Sequence, residues 1–363
     1  MNGFAVGTGP VRLLRAALLI LVIGVCLVAL HDLLTGYPWG VDVVIPLRAA
    51  TRWLEGGQPY LASSFQAPAG IDAPFLYPPF VLPFLAPLTA LPVTVVAVAW
   101  LVVSAAGAVF ACRRLAIPWL VVPLLFLWPP FTEGLLGGNV QVVAFAAFVA
   151  FLWRRPAPSE IRPDFEPLEH DPRDEDRPAA QDGLLAASVG AVKAAQLQPF
   201  TYLVARNWRA AAIGAAAVLG LALGTLPLVG IQAWLDWLAQ LGRASDPAWI
   251  LAGAGIARSL PWWVGDLLAI ATLVAAAFVP SRHAGAWIGL LVIFGTTGLR
   301  VFGLLFALPA MLLVRREIGL VAALLMATYT FEGWWLGVLL VSGSLLAGSR
   351  QAWLLEPRSR PAR

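Results

Sequence analysis

Lysine is almost missing from this chain: Lys193 stands alone beside 23 arginines. Charge of either sign is scarce, at 12% of residues, where an average soluble domain has roughly 25%. Cysteine occurs twice and histidine three times in 363 residues. Each shortage excludes something. So little charge, with 60% hydrophobic residues and a mean hydropathy of +0.81, excludes a soluble globular fold. A net charge of +4 offers no basic surface for a nucleic-acid partner. Cys26 and Cys112 lack the spacing of a disulfide or metal pair and read as apolar filler. His31, His170 and His283 lie near different loops and make no metal set, so neither metal nor cofactor is expected.

What is present in abundance is apolar length. Runs of about 15 to 22 apolar residues alternate with short charged loops. The expected fold class is all-α: a polytopic membrane protein of about 10–12 transmembrane or re-entrant helices, with interfacial helices in the outer loops. Arg12 and Arg15 precede the first run, and no small-residue cleavage site follows it before Asp32. Residues 1–34 therefore read as an uncleaved first span rather than a secretory signal.

The arginines set the topology. Grouped by the positive-inside rule, 18 of the 23 fall on the cytoplasmic side. Arg48, Arg52, Arg243, Arg258 and Arg300 then fall at or near the outer face, and both termini are cytoplasmic. Spans are expected near 13–31, 93–111, 117–132, 139–153, 210–230, 262–279, 285–299, 300–314, 318–331 and 334–349. Residues 74–91 carry Pro74, Pro78, Pro79, Pro83 and Pro87 and suit a re-entrant or interfacial element. Residues 183–205 are too few for two full spans, so they read as broken helix, which is tolerated only where it is buried or lines a cavity.

Residues 156–182 differ in kind, with nine acids and six prolines. Such a segment has too little apolar surface to offset its ordering entropy and is expected to be a disordered cytoplasmic linker. Its Asp174-Glu175-Asp176 matches a DxD metal motif by accident, since nothing around it builds a pocket. The chain thus divides into an N-terminal membrane module, 1–155, with an outer catalytic loop at 32–73; the linker; a C-terminal membrane module, 183–349, with an outer loop at 231–261; and a cytoplasmic tail, 350–363.

Most of the other acids map to the outer half. The first outer loop holds Asp32, Asp42, Glu55 and Asp72, and the second holds Asp236 and Asp246. Within the second, "QAWLDWLAQLGR" suits a helix lying in the interface plane. Asp42 opens a short amphipathic helix over 43–55. It is either a general base at the membrane surface or that helix's N-cap. Lys193, in "LLAASVGAVKAAQLQPF", is either a cation in a cavity, fit to hold a phosphate, or a side chain snorkelling to the interface. Arg300, at an outer turn, is a phosphate clamp or an interfacial anchor. Asn139 and Gln141 follow Gly137 and Gly138 at the same face, either bonding a sugar or gluing helices.

The run from Asp42 through Arg48 to "LEGGQPY" (54–60), followed by "FLYPPFVLPFLAPLTALP", resembles the GT-C class of membrane glycosyltransferases. Within it the chain is most similar to glycosyltransferase family 87, the polyprenyl-phosphate-mannose-dependent α-mannosyltransferases. "LLGGNVQVVAFAAFVAFLWRR" and "GLLAASVGAVKAAQLQPFTYLVARNWRA" are similar to two further blocks of that family. The likeness runs over about residues 37–315 without the acidic linker. It implies transfer of a sugar, expected to be mannose, from a polyprenyl-phosphate donor to a glycolipid or glycan acceptor hydroxyl, with inversion, on the outer face of a bacterial plasma membrane. The family's catalytic Asp falls on Asp42. Donor-phosphate contacts are expected from Lys193, Arg300, Arg258, Arg48 and Arg52, and sugar or acceptor contacts from Tyr77, Asn139, Gln141 and Gln198. The chain departs from the family where Leu299-Arg300-Val301-Phe302 replaces a late Trp and His, and where Lys193 precedes Ala194 rather than Pro. Two other readings stay open: a transporter or flippase for a lipid-linked glycan, and a catalytically silent scaffold of the cell envelope.

Overall fold

The computed structural model describes residues 9–36, 39–60, 75–153, 169–173, 177–193, 196–244, 255, 261–296 and 298–355. The described residues are mostly helical and form no strand, apart from an isolated bridge between Trp153 and Glu169. In order, the helices are α1 (Gly9–Gly36), α2 (Val41–Leu54), a short α3 (Leu82–Leu85) flanked by 3-10 turns at Pro79–Val81 and Ala86–Ala90, α4 (Val93–Arg114), α5 (Val122–Leu127), α6 (Pro129–Gly137), α7 (Gln141–Leu152), α8 (Ala179–Val192), α9 (Gln198–Arg206), α10 (Trp208–Ala244), α11 (Trp262–Phe278), α12 (Ala284–Gly295), a 3-10 helix at Val301–Ala307, α13 (Leu308–Leu313), α14 (Arg316–Met326) and α15 (Phe331–Leu355). Among the described residues, four helices are long and apolar enough to cross a membrane, carried by α1, α4, α10 and α15. Their outward faces are studded with bare apolar side chains, such as Leu13, Ile20, Val102, Leu219 and Leu228. In water such surface would aggregate; in a bilayer it is solvated. The chain is an all-α polytopic membrane protein.

The proline-rich stretch expected to be re-entrant or interfacial breaks into the α3 turns, because each proline removes a donor and stops helix growth. The expected span at 300–314 begins instead as a 3-10 helix, and the broken helix at 183–205 resolves into α8 and α9. α10 runs past the expected end of its span, with Pro227 inside it and Gly230 at φ 75. Beyond that bend, Ala233 and Trp237 pack on α2 and on Tyr60, Phe75 and Leu82, forming a small second core. The main core centres on α7, which is buried almost end to end. Phe145 and Phe148 meet Phe306 at ring-centroid distances of 5.7 and 5.0 Å. Cys26 and Cys112 are free thiols buried in that core.

The helices share two polar ends. At one, Arg15 pairs with Glu317 at 2.7 Å, while Arg114 and Arg206 donate to the carbonyls of Trp153 and Val279. Part of the segment expected to be unstructured belongs to this end. Glu169 accepts the N–H of His283, the residue that precedes α12. The buried side chains of His170 and Asp182 meet at 2.9 Å, and Arg177 joins Asp182 at 3.1 Å. Composition undervalued these residues because their partners are helix ends far away in sequence. Asp174-Glu175-Asp176 lies outside the described residues. α15 continues to Leu355, into the expected tail 350–363. The opposite ends of the same helices carry the site described next.

Candidate functional site

Two tight turns meet at this end. Gly40 caps α2 in the left-handed region, φ 70, and its N–H donates to the Leu136 carbonyl at 2.8 Å. Gly138, at φ 72, closes α6, and a Cβ there would lie 2.5 Å from Val43. Only glycine combines that backbone with so close an approach. The start of α2 is thereby fastened to the α6–α7 turn.

Asp42 stands in the first turn of α2, one residue past its first position, and makes no capping bond; Gly40 occupies the N-cap. The capping reading is therefore overturned. The carboxylate turns toward the α6–α7 turn, where Asn139 Nδ2 donates to Asp42 Oδ2 at 2.7 Å. The other end of that amide is fixed as well, because Gln141 N–H donates to Asn139 Oδ1 at 2.9 Å. Asn139 and Gln141 are both buried. A carboxylate bonded to a fixed donor is held in one orientation without spending either partner's rotamer freedom afresh.

Two cations act on the Asp42 charge, Lys193 and Arg300. Lys193 caps the C-terminus of α8 in extended conformation, and its Nζ sits 5.0 Å from the centre of the Phe302 ring. That places an ammonium on an aromatic face. Burial lowers the Lys193 ammonium to about 8, with Asp42 opposing the shift and Arg300 adding to it. Arg300 is exposed and immediately precedes the 3-10 helix of Phe302. Tyr77 is half-buried and feels the Asp42 charge; burial pushes its phenol up. Its carbonyl accepts from Tyr60 at 2.7 Å. Asp42, Tyr77, Asn139, Lys193 and Arg300, read separately from the sequence, are thus neighbours.

Other expected members lie elsewhere. Arg48 and Arg52 are on α2 about 9 and 15 Å further along its axis from Asp42, at 1.5 Å per residue. The charges acting on Asp42 are Lys193 and Arg300 instead. Gln198 is buried among α9, α11 and α12, donating to Thr272 at 3.2 Å and crowding Gly295. It holds helices together. Arg258 lies outside the described residues.

Sequence reasoning missed Glu133. It is buried in α6, bonded to the Tyr329 hydroxyl, and under the influence of both Arg300 and Asp42. Burial pushes its carboxyl up to about 7, against the pull of Arg300 and Tyr329. The missed signal is the lone acid in "PPFTEGLLGG", since an ionisable group in an apolar stretch is a site candidate by default.

Beside this cluster lies an apolar cavity of about 360 Å³ between α8, α9, α10 and the 3-10 turn at Pro79. Pro78, Phe80, Ala191, Leu197, Trp234 and Trp237 are among its walls. Pro78 adjoins Tyr77, and Ala191 lies two residues before Lys193. Among the described residues, no three His, Cys, Asp or Glu side chains gather as a metal-binding set requires.

Compared with known proteins, the chain matches the model of glycosyltransferase family 87 over residues 75–266, more than half its length. The matched segment contains Tyr77, Glu133, Asn139 and Lys193, while Asp42 and Arg300 flank it. No curated protein and no solved structure matches the chain.

Proposed function

The chain belongs to glycosyltransferase family 87 and is a membrane glycosyltransferase, and from that premise we propose that it transfers mannose from a polyprenyl-phosphate donor, with Asp42 as general base. The observation that carries this reading is the Asp42 carboxylate, fixed by Asn139 and faced by Lys193 and Arg300. Asn139 occupies Oδ2; Oδ1 is assigned to the acceptor. The acceptor hydroxyl gives its proton to Oδ1 as its oxygen attacks the anomeric carbon from the face opposite the phosphate. The bond from that carbon to the phosphate oxygen breaks, its electron pair stays on the phosphate, and the sugar inverts. Polyprenyl phosphate leaves with one more negative charge than it had in the donor. Lys193 and Arg300 meet that charge as it grows, which stabilises the transition state more than the ground state.

The lipid chain also needs a home. The apolar cavity, whose walls include Pro78 next to Tyr77 and Ala191 two residues before Lys193, is assigned to it. No nucleotide is required, and no metal is assigned a role. The site is at the helix ends opposite Arg15, Arg114 and Arg206. The positive-inside rule assigns those arginines to the cytoplasm, which supports a site on the outer face of a bacterial plasma membrane acting on glycolipid or glycan acceptors of the cell envelope.

The test is purified protein in lipid nanodiscs supplied with polyprenyl-phosphate mannose or GDP-mannose and a membrane glycolipid fraction. Mannosyl transfer from the lipid donor alone is expected. Transfer from the nucleotide sugar alone contradicts the donor assignment, and passage of the lipid-linked sugar across the bilayer without covalent transfer favours a transporter.

A further inference from the structure

We propose that Trp237 is a specificity-determining residue for the lipid part of the donor, selecting a branched isoprenoid chain over a straight alkyl chain; the inference rests on the reading of the apolar cavity as the place of that chain. The cavity is lined by two unlike materials. α8 contributes only small residues to it, Gly190 and Ala191 among them. Phe80, Trp234 and Trp237 contribute rings. Those rings form one aromatic surface: Trp234 tilts on Phe80 at a centroid distance of 6.2 Å and meets Trp237 edge-on at 5.7 Å. The backbone explains how the tryptophans come to be there. Ala222 and Trp237 line the same cavity and belong to the same helix, α10. In a straight helix they would stand about 22 Å apart along the axis. The bend at Gly230, with φ 75 and ψ 156, changes the direction of the chain between them.

Trp237 is the fixed member of this surface. Its indole N–H donates to the Leu76 carbonyl at 3.0 Å, which satisfies its one polar atom and holds the ring in place. The strand of chain that accepts this bond is itself anchored. The Tyr77 carbonyl accepts from the Tyr60 hydroxyl at 2.7 Å, and the Phe75 ring lies between those of Tyr60 and Tyr77, 5.3 and 5.6 Å from them. Pro78, two residues past Leu76, then enters the cavity wall. A wall fixed in this way distinguishes shapes. An isoprenoid carries a methyl branch and a planar double bond in every repeat unit. The double bond lies flat on a ring face, and each methyl group buried is worth about fourfold in affinity. A straight saturated chain leaves the space beside the rings unfilled and forfeits those contacts. At about 360 Å³ the cavity takes only part of a polyprenyl chain, so a few methyl groups against Trp237 decide the preference.

The test uses the full chain in nanodiscs with two synthetic mannosyl-phosphate donors, one built on a polyprenol and one on a straight saturated alcohol of equal chain length. Wild type should favour the polyprenyl donor by about tenfold or more in kcat/KM, mainly through KM. Trp237→Leu should erase most of that preference by raising the KM of the polyprenyl donor, with the acceptor KM as it was. Trp237→Phe keeps a ring but loses the bond to Leu76, and should reduce the preference by a smaller factor. It decides the matter if Trp237→Leu does not fold. A preference that stays at its wild-type value in the folded variants overturns the inference, and so does a wild type that has none. Equal losses on both donors would make Trp237 merely structural and also overturn it. Val218→Trp, which fills the same cavity from α10, separates the two claims. If it raises the polyprenyl KM while Trp237→Leu leaves the preference intact, only the inference falls. If it leaves the polyprenyl KM unchanged, the cavity does not hold the chain, and the inference fails with that reading.

Discussion

Asn139 donates to Asp42 at 2.7 Å across 97 residues of sequence, joining the first turn of α2 to the turn that opens α7. The bond fixes one carboxylate oxygen and gives the proposed base a defined direction. Asn139→Ala should therefore lower kcat by roughly tenfold, the scale of one hydrogen bond to a charged group, with little change in donor KM. Steady-state kinetics decide it. A rise in donor KM with kcat intact would show Asn139 reading the donor instead.

Lys193 gives the pH dependence. Its ammonium is lowered to about 8 by burial, against the opposing pull of Asp42. Below that pH it carries the charge proposed to meet the phosphate; above it, the charge is lost. The rate constant kcat/KM for donor reports the free enzyme and should fall as pH rises through about 8. Lys193→Arg keeps its charge over the whole range and should remove that limb, even if its overall rate is lower. A profile unchanged by the substitution would exclude Lys193 from donor binding.

At the opposite end, Asp182 faces both His170 and Arg177 in a buried cluster. Asp182→Ala strips the counter-charge from the buried Arg177 guanidinium, a change that costs about 3 kcal/mol or more. Thermal unfolding in detergent should show a clear loss of stability, while the donor KM of the protein that remains folded stays near normal. Stability equal to wild type would mean that the 169–182 packing carries little energy.

The cavity beside the site predicts chain-length selectivity. Val218 is one of its walls, and Val218→Trp would fill part of it. Donor KM should rise severalfold for long polyprenyl donors and much less for a short-chain analogue. Equal effects on both donors would place the lipid chain elsewhere.

How much of this was legible depends on the residue. Asp42, Lys193 and Arg300 stood out because ionisable groups in apolar stretches are rare and costly, so each one invites a reason. Glu133 carried the same signal in "TEGLLGG" but was hidden by the expected span at its side. Arg48 and Arg52 shared a motif with Asp42 without sharing its space, since a helix advances 1.5 Å per residue. Gln198 lay near Lys193 in sequence yet turned to Thr272. In the acidic segment, the described residues 169–173 and 177–182 are packed, against the expectation. Composition describes what a segment could bury by itself, and Glu169, His170 and Asp182 are ordered by the ends of α12 and α8 and by Arg177. The all-α membrane class, by contrast, followed from hydropathy because a bilayer leaves so few alternatives.

The central claim is that Asp42 removes the acceptor's proton, and Asp42→Asn tests it most directly. The substitution keeps the shape of the side chain and removes its basicity. Transfer from polyprenyl-phosphate mannose should drop by at least about 100-fold, the lower end of what a general base supplies. Thermal unfolding and donor binding should remain close to wild type, which separates lost chemistry from lost fold. Transfer at an undiminished rate by folded Asp42→Asn protein would contradict the account.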